Sequence, residues 1–350
     1  MKQGLHPLVM ILLVVGWSMA LLVIGLILRV GQGAEILTWG IIAFILPMSG
    51  IFYPVSALPG GLQPLAQALP TTHVFAAGRA VVTGHPLPWD QVGIAAFSAV
   101  VAGLSAIGIR SALSGIQIKQ LDVKLRGLPQ QLAGFRLVQI SDVHVGPLLR
   151  KDWVAHIVEQ IRQLAPDLVA ITGDLVDGRV HELREHVAPL AKIEARRGVY
   201  FVTGNHEYYS GVEEWYAHLP SLGVRPLRNE RVEVAPGLEL AGIEDPTGAP
   251  DLAAALHGRD PEGALVLLAH QPRQFAEAAK RGVPLTLSGH THGGQIWPFS
   301  WLVALAQPYL AGLHRRGESQ LYVSRGTGFW GPPMRVFAPA EITLLRLFPA

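Results

Sequence analysis

The sequence predicts an α/β domain preceded by a membrane-spanning region of about three helices, and three observations carry that expectation. Charge is nearly absent from the first third of the chain, the remainder alternates short apolar runs with helical periodicity, and those runs end in Asp, Asn and His. With 350 residues the chain has room for two parts. Half of its residues are hydrophobic and only 15% are charged, which is too apolar for an ordinary soluble domain. From Met1 to Gln117 the only Lys, Arg, Asp or Glu residues are Lys2, Arg29, Glu35, Arg79, Asp90 and Arg110, whereas the rest carries 24 basic and 24 acidic residues. The expected division is therefore 1–117, in the membrane, and 118–350, a near-neutral globular domain. A formal charge of +2 without a basic run excludes an electrostatic footprint for nucleic acid. Cys is absent, so disulfides, thiolate metal sites and Cys nucleophiles are excluded, and any metal must be held by His, carboxylate or amide oxygen.

In the first part, Leu8 to Leu28 is uncharged and matches the roughly twenty residues needed to cross the hydrocarbon core. It is longer than the apolar core of a signal peptide, and no A-x-A cleavage site follows it, so an anchor is expected. Ile36 to Val55 and Val92 to Ile109 can span in the same way. Between them, Ala57 to Pro88 is punctuated by Pro59, Gly60, Gly61, Pro64 and Pro70, which suits a re-entrant or interfacial element. With three spans, Arg29, Arg110, Lys119, Lys124 and Arg126 fall on one side of the membrane and Lys2 and Arg79 on the other. The positive-inside rule then puts the second part in the cytoplasm, and the whole chain in the cell membrane as a multi-pass protein.

In the second part, Phe135 to Ile140 reads as a short buried strand, and Trp153, Val154, Ile157, Val158, Ile161 and Leu164 recur at helical spacing. Asp167 to Thr172, Val199 to Thr203, Ala264 to Ala269 and Val283 to Leu287 are further strands of the buried type, and Pro272 to Lys280 is helical. Gln320 to Ser324 and Glu341 to Leu345 are expected to complete a second sheet. Where strands stop, the chain places Asp142 and His144, Asp174, Asn205 and His206, His270, and His290 and His292. In open α/β sheets the carboxyl ends of strands line one crevice, so these residues can converge although far apart in sequence.

Such a set suits two metal ions. Asp174, central in the ligand order, is the natural bridge; Asp142, His144 and His292 would complete one site, and Asn205, His270 and His290 the other. The spacing in D-x-H and H-x-H would place both side chains on one side of an extended segment. Two metals about 3.5 to 4 Å apart lower the pKa of a shared water and clamp an in-line displacement at phosphorus, so the nucleophile is a dimetal-bound hydroxide and no protein nucleophile is needed. His206 is left to donate a proton or hydrogen bond to the phosphoryl oxygen or leaving group. A mixed N/O donor set suits two divalent transition-metal ions, Mn, Fe or Zn, better than Mg or Ca.

The succession SDVH, GDLVDG, GNHE, LAHQP and GHTHGGQ resembles the calcineurin-like metallophosphoesterase superfamily over Val123 to Phe348. GHTHGGQIWP followed by SRGTG and EITLL is similar to its membrane-associated bacterial branch, which includes enzymes acting on phosphodiesters and on UDP-2,3-diacylglucosamine. The resemblance implies a four-layer αββα sandwich of two mixed sheets, the ligand roles given above, and a phosphodiester or pyrophosphate substrate, lipid-linked in one version. Phe44 to Gly84 resembles the last membrane segments of ABC-2 type transporter permeases, but no Walker A motif accompanies it. The alternative function is accordingly a transporter accessory or permease-derived membrane protein in which the phosphoesterase fold only binds a ligand.

Other signals carry less. Asp177 in GDLVDG suits a turn or a supporting role better than a ligand role, since Asp174 already supplies the bridge. HELREH at His181 to His186 has its second His five residues on, which turns it away on a helix. Ile296 to Leu313 is uncharged and aromatic-rich, and is either a packed core helix or an apolar lip beside the site. Arg325 and Arg335 could pair with a phosphate or form structural ion pairs.

Overall fold

The computed structural model describes residues 48–50, 53–67, 69–86, 89–298 and 300–350. They fall into two compact units, Met1–Arg110 and Ser111–Ala350. In the first unit, α1 (Gln63–Gln67) and α2 (Pro70–Thr83) are joined at the L-P-T-T-H sequence, where Thr72 Oγ1 donates to the Ala66 carbonyl at 2.6 Å. Arg79, expected as a topological charge, is half-buried and donates from Nη1 to the Gly50 carbonyl. The third helix, α3 (Trp89–Leu113), has 25 residues and exposes Trp89, Phe97, Ile107 and Leu113.

Among the described residues no helix is long and apolar enough to cross a membrane. The segment Val92 to Ile109, expected as a span, is helical as part of α3 and is no exception. The expected span Leu8 to Leu28 lies outside the described residues, as does most of Ile36 to Val55.

The second unit is a two-sheet sandwich. Its elements in chain order are β1 (Gln117–Leu125), β2 (Phe135–Ile140), α4 (Lys151–Gln163), β3 (Leu168–Thr172), α5 (Val180–Val187), β4 (Val199–Val202), α6 (Asn205–Tyr209), α7 (Val212–His218), β5 (Val224–Pro226), β6 (Glu230–Ala235) and β7 (Leu238–Gly242). They continue with α8 (Leu252–Leu256), β8 (Ala264–Leu268), α9 (Phe275–Lys280), β9 (Leu285–Ser288), α10 (Ser300–Ala306), β10 (Gly312–Arg316), β11 (Ser319–Val323) and β12 (Glu341–Pro349). One mixed sheet has the order β1-β12-β2-β3-β4-β5, the other β10-β11-β9-β8-β7-β6.

The strands that deliver the site are the buried ones. All five residues of β3 and all five of β8 are buried, as continuous apolar runs require when both sheet faces are covered. Phe135, Leu137, Leu168 and Val202 of the first sheet meet Leu240, Val266, Leu285 and Tyr322 of the second in the central core. On the outer face of the first sheet, Val138, Val169 and Ile171 pack under Ile157 and Ile161 of α4, Leu183 of α5 and Trp215 of α7. On the outer face of the second, Ala241, Leu265 and Leu267 pack under Ala255 of α8 and Ala278 of α9. The layers therefore run helix, sheet, sheet, helix.

The last strand differs from expectation. Glu341 to Leu345 belongs to β12, which pairs in parallel with β1 and antiparallel with β2 in the first sheet. Its alternation explains the placement: Ile342 and Leu344 enter the helix-covered core while Leu345 and Leu347 enter the central one, so it needs a position covered on both faces. Ile296 to Leu313 is not a core helix; its helical part, α10, has no buried residue.

Candidate metal centre

The carboxyl ends of β2, β3, β4, β8 and β9 bring the predicted residues together. Asp142, His144 and His292 form one buried group whose ligand atoms all lie within 4.8 Å of one another. Asp174, His270 and His290 form a second on the same criterion, and His144, Asp177 and His206 a third. Asp174 stands between the first two: its Oδ2 is 3.2 Å from His270 Nε2 and 4.0 Å from His144 Nε2. In the first group, His144 Nε2 is 3.0 Å from His292 Nε2, and His292 Nε2 is 3.5 Å from Asp142 Oδ1.

The ligand pairs converge by a different route from the one expected. Asp142 and His144 both have φ of 51°, and His292 also has φ of 51°, so neither D-x-H nor H-x-H is extended. The side chains meet through left-handed backbone rather than strand alternation. Among the described residues nine non-glycine positions have positive φ, and Asp142, His144, Asp174, His290 and His292 are five of them. Such conformations persist only where the surroundings over-determine them, and they concentrate at functional sites.

Hydrogen bonds supply that determination. The Asp142 carboxylate accepts the backbone N–H of His290 at 2.9 Å, and Asp174 Oδ1 accepts that of His206 at 2.9 Å. Glu207, fully buried, accepts four backbone N–H groups, from Asp174, Leu175, Val176 and Gly204, at 2.6 to 3.3 Å. Close approach also demands glycine: a Cβ on Gly204 would run into Asp174 Oδ1, and one on Gly289 into Ser141 Oγ and Asp142 Oδ2.

The donor atoms fit metal ions. His270 Nδ1 donates to the Thr172 carbonyl at 2.7 Å, which leaves the Nε2 lone pair free. Asn205 Oδ1 is buried without a hydrogen-bond partner, a costly state for a polar atom unless a cation takes it, and no donor faces that Nε2, which has only the Asp174 carboxylate at 3.2 Å. Charge points the same way. Burial pushes the Asp142 carboxyl up, and burial followed by the nearby Asp174 charge pushes Glu207 up to about 7. Burial disfavours the charged form of His270, but Asp174 and Asp142 override it and raise the imidazole to about 10. A cluster that recruits a proton so strongly is short of positive charge. Burial and the neighbouring His270 hold His290 down at about 4, and burial with His144 and Arg335 depresses His292, so both stay neutral as metal ligands must.

Two further residues take part. Asp177 uses one oxygen, Oδ1, for two imidazoles, His144 Nδ1 at 2.8 Å and His206 Nδ1 at 2.7 Å. Burial opposes its ionisation, but those two hydrogen bonds hold the carboxyl at about 2. Burial likewise opposes the His206 imidazolium, yet the bond to Asp177 and the charge of Asp174 raise its pKa above the usual value. Arg335 is buried and, among the described residues, pairs with no carboxylate. Its guanidinium donates to the carbonyls of Gly328, Ala338 and Arg325 at 2.8 to 2.9 Å, with Nη2 3.2 Å from His292 Nδ1. It is a strut that fixes the loop behind His292. The G-x-x-E spacing of Gly204 and Glu207 at the start of α6 was a readable signal for the Glu207 cap; Arg335, bound to backbone carbonyls, had none.

The family model described as calcineurin-like phosphoesterase matches residues 135–294. A metallophosphoesterase of Helicobacter pylori strain J99 is 42% identical over 250 residues, covering 69% of this chain and 66% of that protein. A zebrafish (Danio rerio) protein named as a transmembrane protein with metallophosphoesterase domain is 38% identical over 266 residues, covering 71% of this chain and 61% of that protein. A metallophosphoesterase of Aquifex aeolicus is 32% identical over 241 residues, which is 66% of this chain and 92% of that protein. The chain thus spans somewhat under two thirds of the Helicobacter and zebrafish relatives' lengths and nearly all of the Aquifex one.

Proposed function

Because the chain belongs to the calcineurin-like metallophosphoesterases, we propose that it is a membrane-anchored, metal-dependent enzyme that hydrolyses a phosphodiester or pyrophosphate bond by in-line attack of water. One observation carries this reading: a single carboxylate oxygen, Asp174 Oδ2, faces both buried histidine groups, with the His270 Nε2 lone pair left without a hydrogen-bond donor. Asp142, His144 and His292 would hold one ion, Asn205, His270 and His290 the other, and Asp174 would bridge. Bound there in a pair, Mn, Fe or Zn ions supply Lewis acidity toward the phosphoryl oxygens and activate water.

The chain's own residues do the rest. Asp177 takes the Nδ1–H of His206, which turns the opposite nitrogen of the ring outward and favours the imidazolium. That charged ring donates its Nε2 proton to the leaving oxygen as the P–O bond breaks. His144, oriented through Nδ1 by the same Asp177 oxygen, keeps its Nε2 toward His292 and Asp174. Ligand loops that tie to one another through backbone N–H groups keep these atoms in place without waiting for substrate.

Membrane anchoring is supported by the uncharged runs Leu8 to Leu28 and Ile36 to Val55, by the apolar side chains α3 exposes, and by the name of the zebrafish relative. A lipid-linked phosphoester is the finer substrate reading, UDP-2,3-diacylglucosamine being one of that kind, with the domain facing the cytoplasm. The deciding experiment is a panel of mono- and diesters assayed with the full chain loaded with Mn, Zn or Fe in turn. Hydrolysis that appears with metal and disappears with chelator is expected; no metal-dependent turnover on any ester would remove the proposal.

A further inference from the structure

A groove of about 650 Å³ opens directly beside the histidine cluster. It is lined by His290 and His292, by Ile296, by Leu302 and Val303 of α10, and by Trp330. The polar groups in it are largely spent on the chain itself. Gln295 exchanges both of its amide hydrogen bonds with the Trp330 backbone, at 2.7 and 3.0 Å, and Thr291 Oγ1 donates to the Leu310 carbonyl. Gln307 Oε1 is the one lining side-chain atom among the described residues that is buried and unpartnered. No lining residue other than the histidines is ionisable.

The rim continues the apolar surface. Trp297 stacks edge-on with Trp301 and with Phe337, each at 5.9 Å between ring centres, and Trp330 approaches His206 at 6.3 Å. α10 rests over the groove with Leu305 85% exposed, which makes little sense for a helix serving only to cover a core.

We propose that this groove holds an alkyl or acyl chain of the substrate, so that the enzyme selects amphiphilic phosphoesters. The inference rests on the phosphoesterase reading above. Because two candidate metal ligands, His290 and His292, are among its lining residues, a chain attached to a phosphoryl group held at those ligands would extend directly into the groove. A nucleobase would leave its polar edges unpaired against Ile296, Leu302, Val303 and Trp330, at the cost of lost hydrogen bonds to water. A hydrocarbon chain loses none, and gains transfer free energy along its length.

The test uses the full chain in nanodiscs, loaded with Mn, and p-nitrophenyl phosphodiesters carrying ethyl, butyl or octyl groups below their critical micelle concentrations. The expected kcat/KM rises by up to about fourfold per methylene until the groove is filled, and by at least about tenfold from ethyl to octyl on the same scale. Val303→Glu, which puts a charge among the groove's lining residues, should flatten the series from ethyl to octyl. Ala306→Trp, which fills the groove from α10, should do the same and serves if the first variant fails to fold. A flat series in the unmodified enzyme, with bis(p-nitrophenyl) phosphate still hydrolysed, overturns the groove proposal alone. If no ester is hydrolysed, the phosphoesterase reading fails, and titration calorimetry with octyl phosphate and ethyl phosphate still decides the groove: tighter octyl binding that is lost in Val303→Glu supports it, equal affinities overturn it.

Discussion

Replacing Asp177 by Asn keeps the shape of the side chain and removes its charge, which isolates what that charge does for two histidines at once. The amide oxygen can still accept from His144 Nδ1 and His206 Nδ1, now 2.8 and 2.7 Å away, so the change need not move either ring. Against the opposing effect of burial, the two imidazoles bring the Asp177 carboxyl from 3.8 to about 2, a preference worth roughly 2.5 kcal/mol. Shared between two partners, a little over 1 kcal/mol falls to the bond with His206, or about tenfold in turnover where the leaving group needs a proton. The sign follows from which form works. His206 acts protonated, so activity is full below its pKa, which Asp177 and Asp174 hold above 6.5, and is lost as pH rises through it. Asp177→Asn should therefore move the alkaline limb of kcat to lower pH. The assay compares a phenyl ester with an activated p-nitrophenyl ester across pH at saturating Mn, because the lost charge beside His144 should also weaken metal binding by roughly 10- to 100-fold. Equal losses on both esters, or an alkaline limb that stays where it was, would refute the reasoning, since Asp177 would then be acting through the metal centre or through folding and not through His206.

Other perturbations probe the remaining parts. Asp174→Asn should be the most damaging ligand change, lowering metal content toward zero by elemental analysis where single-site ligand variants retain one ion. His206→Ala should keep both ions yet lower turnover of poor leaving groups by about 10² to 10⁴, with activated esters affected less; loss of metal in that variant would make His206 a ligand. Glu207→Gln turns its amide N–H groups toward two of the four backbone donors and should cost about 2 to 3 kcal/mol in a denaturant titration, whereas an unchanged midpoint would show that the nest does not hold the Asp174 loop. The full chain should stay in the membrane fraction through a carbonate wash; its release into the supernatant would end the anchor reading.

Much of the site could be read from sequence because the strands that carry it are buried on both faces. Leu168 to Ile171 and Ala264 to Leu268 are apolar throughout and fully buried, so each run ends abruptly close to where the ligands begin. Elements under weaker constraint were not legible. β5 has three residues, β6 is half-exposed and its register against β7 shifts between Glu233 and Ala235, and β10 is largely exposed, so none shows a clean alternation. β12 was recognised as a strand but assigned to the wrong sheet, because its partners β1 and β2 lie at the far end of the domain in sequence and nothing local reports that pairing. Asp177 was legible only as a carboxylate near a ligand; that one of its oxygens serves His144 and His206 together is a fact of three dimensions.

The D-x-H and H-x-H pairs carry the physical lesson furthest. Alternation along an extended segment would bring two side chains to one face some distance apart, but left-handed turns at Asp142, His144, Asp174, His290 and His292 aim them inward at a common volume. Each such turn is unfavourable for a residue with a Cβ, so the loops must be held from outside. They hold one another. The Asp142 carboxylate fixes the His290 backbone, Asp174 Oδ1 fixes that of His206, and Glu207 fixes Asp174 itself, while the glycines at 204 and 289 let the carboxylates pass at contact distance. Since Asp174 spends Oδ1 on the His206 N–H, its Oδ2 is the oxygen left to face His270 and His144. The same hydrogen bond that seats the proton donor thus orients the bridging carboxylate, so a change that moves the His206 backbone should disturb metal binding and leaving-group protonation together.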